Sequence, residues 1–414
     1  MQKRRRVVIT GVGALTSLGY EKAQIWSALC AGKSGIKPIT SFDTSAFDVH
    51  FGGEVSDFEP THWFDVKEAR RLDRFAQFAI VAAIQAVKDA ELQLDGFDKT
   101  RGGVIIGSGM GGLIELEAQH NILLEKGPSR ISPFLIPKLM VNAAPAQVAI
   151  RFGFKGPNYA LVTACTTGGN AIGEAARIIQ REDADIMLAG SSEAVVTPLA
   201  MAGFSSMKAL STRNDAPQQA SRPFDIDRDG FVLSEGAGVV VLEELEIARK
   251  RGAHIYAEVL GYGLNADAYH IAAPEPHGEG AMRCMVSALK DAQCNPEEID
   301  YINAHATSTP IGDNIEMNAV KKVFGSHAPK IPISSTKSML GHQLGASGSV
   351  EIIICSLVIK EGVIPPTINH ETPDPECAGL DFVPNVAREM KVKKALSNSF
   401  GFGGHNACII LGQV

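Results

Sequence analysis

The sequence predicts an α/β protein built from two similar halves, and two observations carry that prediction. Short β-branched runs (Val7-Val8-Ile9, Gly103–Ile106, Ile186–Ala189 and Val239–Leu242) alternate with longer Ala-rich helical stretches, the pattern of buried parallel strands layered with helices. A faint internal repeat is the second. AVKDA, ending at Ala90, precedes the strand GGVIIGSG, and ALKDA, ending at Ala292, precedes IDYINAHATST. Each half then reaches another matching unit: ALVTACTTGGNAIGEAARII, with Cys165 at its turn, and IPISSTKSMLGHQLGASGSVEIIICSLVI, with His342 at its turn. Repeats are signals of architecture. A duplication sets the two turns face to face and converges a cysteine and a histidine between the halves.

The bulk composition fits this reading and excludes others. A chain of 414 residues exceeds the usual single-domain length of about 100–200 residues. Forty-six acidic against 39 basic residues give a net charge of −7, which argues against nucleic acid as a partner, since phosphate binding demands a basic surface. The cysteines at 30, 165, 284, 294, 355, 377 and 408 are odd in number and scattered, with no C-x-x-C pair. Neither a disulfide framework nor a zinc site is suggested, no metal or cofactor is called for, and a reducing cytoplasm fits. Thr10, Gly11, Gly13, Thr16 and Ser17 interrupt the apolar run that a signal peptide needs. No segment approaches the roughly 18 uninterrupted apolar residues of a spanning helix, so no membrane insertion is expected. The Pro/Asp/Asn-rich pieces 211–230 and 365–376 read as long surface loops.

Cys165 is expected between a strand at Ala160–Thr163 and a helix at Gly169–Gln180. A helix N-terminus favours a thiolate through its unpaired amides and dipole. The small neighbours Ala164, Thr166, Thr167, Gly168 and Gly169 allow a sharp turn and the approach of an acyl carbonyl. Read blandly, it is one more inert buried cysteine. His305, in NAHATSTPIGD, and His342, in KSMLGHQLGASG with Lys337 five residues upstream, lie in loops rich in Gly, Ser and Thr. Paired imidazoles suit polarisation of a carbonyl or movement of a proton near neutral pH. SNSFGFGGHN sets Phe400 and Phe402 among glycines, either as a mobile gate presenting amides or as a plain tight turn. GVG at 11–13 and GSGMGG at 107–112 invite a dinucleotide reading, but no acidic ribose partner is clearly placed. Lys67, Arg70, Arg71 and Arg74 fall at i, i+3, i+4 and i+7, one positive stripe on a helix. It is either a dock for an acidic partner or a solvated face balanced by Glu68 and Asp73.

With VTACTTGGNAIGEAARII, SRPFDIDRDGFVLSEGAG, NAHATSTPIGD, SSTKSMLGHQLGASG and SNSFGFGGHN in this order, the chain resembles, over essentially its whole length, the elongating β-ketoacyl-acyl-carrier-protein synthases. The match is closest to the synthase II class of the bacterial dissociated system. The resemblance implies the thiolase fold, with duplicated halves in a five-layered α/β/α/β/α sandwich assembled as a homodimer. Residues 1–255 would hold Cys165 and the loop insertions, and 256–414 would hold His305 and His342. It implies a Cys-His-His centre of Cys165, His305 and His342, with Lys337 as supporting cation and Glu351 positioning it. Phe402 would be the gate and, with Cys165, the oxyanion hole. Met110 would line the acyl pocket near the dimer interface, Thr307, Thr309 and Phe400 would contact substrate, and Lys67, Arg70 and Arg71 would dock the acyl carrier protein.

The implied reaction is fatty-acid elongation by decarboxylative Claisen condensation. An acyl group moves onto Cys165, malonyl carrier loses CO₂, and the enolate attacks to give 3-oxoacyl carrier. Ala306 departs from the glycine usual in the family, and His405 from a frequent threonine. The alternatives are a thiolase, for which Cys408 is the candidate base, a CoA-primed initiating synthase, which carries asparagine in place of His342, a non-catalytic chain-length-factor-like subunit, and a nucleotide-binding regulator.

Overall fold

The computed structural model describes residues 4–414. Among them one hydrogen-bonded sheet contains β1 (Val7–Leu15), β2 (Gly102–Gly107), β3 (Asn158–Tyr159), β4 (Ile186–Glu193), β5 (Gly236–Glu244), β6 (Ala257–Ala266), β7 (Tyr301–Asn303), β8 (Ile333–Ser334), β9 (Lys394–Gly401) and β10 (His405–Gly412). The spatial order is β8-β7-β9-β10-β6-β1-β5-β4-β2-β3. Outward from the centre, the two wings run β1-β5-β4-β2-β3 and β6-β10-β9-β7-β8, the same order in each half. They meet at the antiparallel pairs Val8↔Glu258 and Ile9↔Ala257.

Side chains alternate across each strand, and three apolar clusters fill the faces so created. Val239 and Val241 point to an outer layer with helix α1 (Arg74–Asp89) and the helix Ala143–Phe152. Val240 and Leu242 point inward, where α2 (Thr167–Gln180) and α5 (Ser347–Glu361) lie between the two wings against Val259 and Ile409. On the far side α3 (Glu279–Ala292) and α4 (Pro310–Phe324) cover Ile302, Leu396 and Ile410. The result is the five-layered α/β/α/β/α sandwich. Helix α5, sandwiched on all sides, is buried from Ser347 to Ile359, apolar for most of its length and with Glu351 paired to Lys337.

The repeat has a physical reason. A Cβ on Gly11 or Gly13 of β1 would lie 2.2 Å and 2.1 Å from the carbonyl oxygens of Ala86 and Ala82 on α1. On Gly261 and Gly263 of β6 it would lie 2.4 Å and 2.2 Å from those of Ala288 and Cys284 on α3. Between each glycine pair an amide donates to the aspartate of the helix motif: Val12 N–H to Asp89 at 3.0 Å and Tyr262 N–H to Asp291 at 2.9 Å. The GVG motif is therefore a helix-packing surface within a strand, and the dinucleotide reading of it falls.

Other expectations are corrected. The strand before Cys165 is Asn158–Tyr159 rather than 160–163, and α2 begins at Thr167, two residues earlier than expected. Residues 220–225 and 364–368 are buried, so the pieces 211–230 and 365–376 are partly internal. FGFGG is the tight turn of the β9–β10 hairpin, with Gly403 and Gly404 at φ 84° and 72°. No helix of the described residues is long and apolar enough to cross a membrane.

Candidate active site

Cys165 stands two residues before α2 on a turn made by Ala164, whose φ is +51°. Few non-glycine residues adopt this left-handed geometry, which costs an L-residue roughly 1–2 kcal/mol. Ser308 and Leu344, at φ 71° and 46°, share it close in sequence to the two histidines. Cys165 is 7% exposed. Backbone N–H groups of Phe402 and of Cys165 itself are directed at its sulfur.

His342 Nε2 lies 3.1 Å from Cys165 Sγ. The His342 backbone is gripped from both sides, donating to Val232 O at 2.7 Å and accepting from Ser234 N–H at 3.0 Å, and Phe231 sets its ring edge-on at 5.4 Å and 83°. Its Nδ1 is 3.0 Å from Ser347 Oγ, which already accepts Gln343 N–H at 2.9 Å. Nδ1 is the one acceptor the Ser347 hydroxyl meets among the described residues. The hydrogen-bond network therefore assigns the hydroxyl proton to Nδ1 and leaves Nε2 as an N–H facing sulfur.

His305 follows β7, and the Glu316 carboxylate of α4 fixes its turn. That group accepts His305 N–H at 2.9 Å, Ala306 N–H at 2.8 Å and Asn398 Nδ2 at 3.0 Å. The His305 ring sits 5.4 Å from the His342 ring at 85° and 5.9 Å from Phe400 at 71°. Ala306 is 1% exposed within the apolar layer of α3 and α4, so its methyl is accommodated. His405 is half-buried behind the Gly403 turn.

Lys337 is paired with Glu351 of α5, both side chains 2% exposed. Burial, aided by the Lys337 charge, holds both imidazoles well below the usual histidine range and keeps them neutral. Burial pushes the Cys165 thiol up to about 12, against the opposing pull of Lys337 and the two amides. It also pushes the Glu351 carboxyl up to about 7 despite Lys337.

These groups open into a cavity of about 510 Å³ lined also by Thr307, Thr309, Phe400 and Phe402. The sequence expectation thus places Cys165, His305, His342, Thr307, Thr309, Phe400 and Phe402 in one cavity, with Lys337 and Glu351 behind it. Met110 is not among its lining residues. It is 41% exposed and its N–H donates to Glu193 at 3.2 Å. Lys67, Arg70 and Arg71 are exposed on the helix Val66–Arg70 and its C-cap.

Arg74 does not join them. Asp73 breaks the stripe by capping α1, and Arg74 turns inward to Glu235 at 2.9 Å. The proposed balance is absent too, since Glu68 pairs with Arg151 at 2.9 Å and Asp73 is buried. Sequence reasoning missed Phe231, Glu316 and Ser347. The acidic residue 11 positions after His305 and the serine five after His342 are the signals that pointed to the last two.

Comparison with known proteins identifies the family. Residues 4–248 match the family model for the beta-ketoacyl synthase N-terminal domain, and residues 256–371 match the model for the C-terminal domain. The chain is 53% identical over 412 residues to the 3-oxoacyl-acyl-carrier-protein synthase 2 of Coxiella burnetii, covering 100% of this chain and 99% of that one. Against its namesake in Staphylococcus aureus it is 52% identical over 410 residues, covering 99% of each. Among solved structures, a beta-ketoacyl synthase from Burkholderia phymatum superposes with a TM-score of 0.92 at 35% identity, over 99% of this chain and 100% of the other. A type II PKS ketosynthase, solved with its acyl-carrier protein and bound to the hexaketide, gives 0.91 at 36% identity over 100% of both. With matched domains spanning both halves and half of all residues shared with full-length relatives, the chain belongs to the beta-ketoacyl synthase family.

Proposed function

We propose that the protein is the elongating condensing enzyme of fatty-acid synthesis, a 3-oxoacyl-acyl-carrier-protein synthase of the synthase II class. The observation that carries this reading is the 3.1 Å approach of His342 Nε2 to Cys165 Sγ, with the His305 ring 5.4 Å from that of His342 in the same cavity.

Cys165 attacks the thioester of an acyl carrier. The oxyanion forms against the N–H groups of Cys165 and Phe402, the carrier thiol departs, and the acyl group remains on sulfur. Malonyl carrier then enters. Neutral His305 and His342, unable to attract the malonyl carboxylate by charge, donate hydrogen bonds to its thioester carbonyl. Loss of CO₂ leaves the electron pair as an enolate, which attacks the acyl-Cys165 carbonyl and expels the thiolate, giving 3-oxoacyl carrier. In this reading Thr307 and Thr309 contact the carrier's thioester-bearing arm, Phe400 and Phe402 border its approach, and Lys337, held by Glu351, supplies the fixed positive charge. Met110 contributes to an acyl pocket completed by a second copy in a homodimer. Exposed Asn158 and Tyr159 on the edge strand β3 offer that copy unpaired backbone groups. The halves would divide at 255/256, and the free cysteines suit a reducing cytoplasm.

The thiolase alternative loses support because Cys408 is fully buried in β10, bonded to Asn398 at 3.1 Å and absent from the cavity lining. Mass spectrometry tests the proposal: wild type and Cys165→Ala are incubated with acyl carrier, then chased with malonyl carrier. Acylation confined to Cys165 and discharged as 3-oxoacyl carrier is expected. An unmodified wild type beside a competent carrier would move the assignment to CoA primers or to a non-catalytic subunit.

A further inference from the structure

One buried cation outside the Cys-His-His centre has every donor committed, two of them to backbone carbonyls of residues that line the cavity. Arg228, in the segment SRPFDIDRDGF, is 5% exposed. Its Nε donates to Thr309 O at 3.1 Å, and one terminal nitrogen donates to Asp225 O at 2.7 Å and Asp374 at 2.8 Å. The other terminal nitrogen donates to Pro310 O at 2.9 Å and Asn314 Oδ1 at 2.8 Å. All five N–H groups of the guanidinium are thereby used, in the fixed planar fork that only arginine supplies. The Asp313 carboxylate stands 3.6 Å from Nε.

These partners are not scattered. Thr309, Pro310 and Gly312 form one wall of the cavity, and Asp229, Gly230 and Phe231, immediately after the arginine, form an adjoining wall. Two neighbouring contacts stitch the same walls together, Gly230 N–H to Ser308 O at 3.1 Å and Arg222 N–H to Ser308 Oγ at 2.9 Å. The first wall also holds Ser308 in its left-handed turn at φ 71°, between the two threonines whose hydroxyls lie 3.2 Å apart. A lysine could satisfy at most three acceptors from a single point, so the spacing of the walls is written into the shape of this one side chain.

We propose that Arg228 is a positioning residue that fixes the separation of the two cavity walls and so sets the fit of the carrier's thioester-bearing arm against Thr307 and Thr309. The inference rests on the carrier-dependent function proposed above. Arg228 touches neither substrate nor Cys165, so its effect falls on recognition of the arm and not on the reacting sulfur.

The test measures binding of carrier with and without its pantetheine arm to wild type, Arg228→Met and Arg228→Lys, by fluorescence polarisation at one ionic strength. Thermal melts identify folded samples. Wild type is expected to prefer the arm-bearing carrier. Arg228→Lys is expected to weaken that complex about ten-fold and to leave the armless complex within about two-fold. Should Arg228→Met fail to fold, Arg228→Lys and Asp374→Asn carry the comparison, the latter predicting a smaller loss in the same direction. Equal weakening of both carriers, or no weakening of the arm-bearing one in a folded variant, overturns the proposal. Turnover of wild type with acyl and malonyl carriers is read separately. An arm preference without condensation would sink the function and spare the positioning role, whereas condensation without an Arg228 effect would do the reverse.

Discussion

Lys337 and Glu351 face each other with 2% of each side chain exposed, and removing one member of such a pair leaves the other charge buried without its partner. Losses of this kind run to about 3–5 kcal/mol, while replacing both members by apolar side chains is often neutral. Lys337→Met alone therefore lowers the melting temperature, and Lys337→Met/Glu351→Leu restores it. Condensation is expected to stay lost in both, because the cation that helps hold His305 and His342 neutral is gone from both. Parallel melts and malonyl-decarboxylation assays separate the two roles, and recovery of turnover in the double variant would reduce Lys337 to packing. At this scale the sequence was legible wherever chemistry needs a residue type at a helix start or beside a glycine, as with Cys165 and His342. Arg74 was misread because spacing alone cannot register that Asp73 starts a new helix and swings the guanidinium toward Glu235.

Helices α2 and α5 bring the cysteine and histidine together only because glycine lets them touch. A Cβ on Gly168 would lie 2.4 Å from Ser349 N and 2.6 Å from Ser191 Oγ, so Gly168→Ala forces the two buried helices apart. Overpacking of this kind costs about 1–3 kcal/mol, and acyl labelling of Cys165 should fall along with the melting temperature. Undiminished labelling would show that the centre tolerates the displacement.

The start of α1 carries a pH signature. Asp73, 3% exposed, accepts Phe75 N–H at 3.1 Å and Glu115 N–H at 2.9 Å, and burial raises its carboxyl to about 6. A folded value above the unfolded one near 3.9 means that its stabilising contribution is complete below about pH 4 and is lost as pH rises through about 6. Asp73→Asn, whose one amide oxygen can accept only one of these two N–H groups, should therefore lower the melting temperature at pH 4.5 and lower it by about 2–5 °C less at pH 8. Equal shifts at both pH values would mean that Asp73 is not titrating in this window. The duplicated motifs were readable because Asp89 and Asp291 each cap a strand amide between two glycines, which constrains sequence locally. The short strand Asn158–Tyr159 was not. Its two residues pair with β2 through tertiary placement, which propensity does not encode.

Taken whole, the molecule carries a net charge of −7, and if the carrier of the proposed function is an acidic protein, attraction has to come from a local field that outweighs the average. Lys67, Arg70 and Arg71 provide one. They stand exposed together, with Glu68 turned to Arg151 and Asp73 buried, and three cations there outnumber the one exposed acid of the same helix, its N-cap Asp65. The Arg71 guanidinium lies 5.3 Å over the Phe134 ring, which holds its charge at the surface. Steering by such a patch acts mainly on association and weakens as salt screens it, over about 10 Å at 0.1 M. The triple variant Lys67→Glu, Arg70→Glu and Arg71→Glu should then raise the KM for acyl and malonyl carriers about ten-fold at low salt, with the gap to wild type narrowing as salt is added. Small thioester mimics, which reach the cavity without docking, should be turned over as before. A salt-independent loss, or an equal loss on the mimics, would place the damage in the fold and remove these three residues from the docking surface.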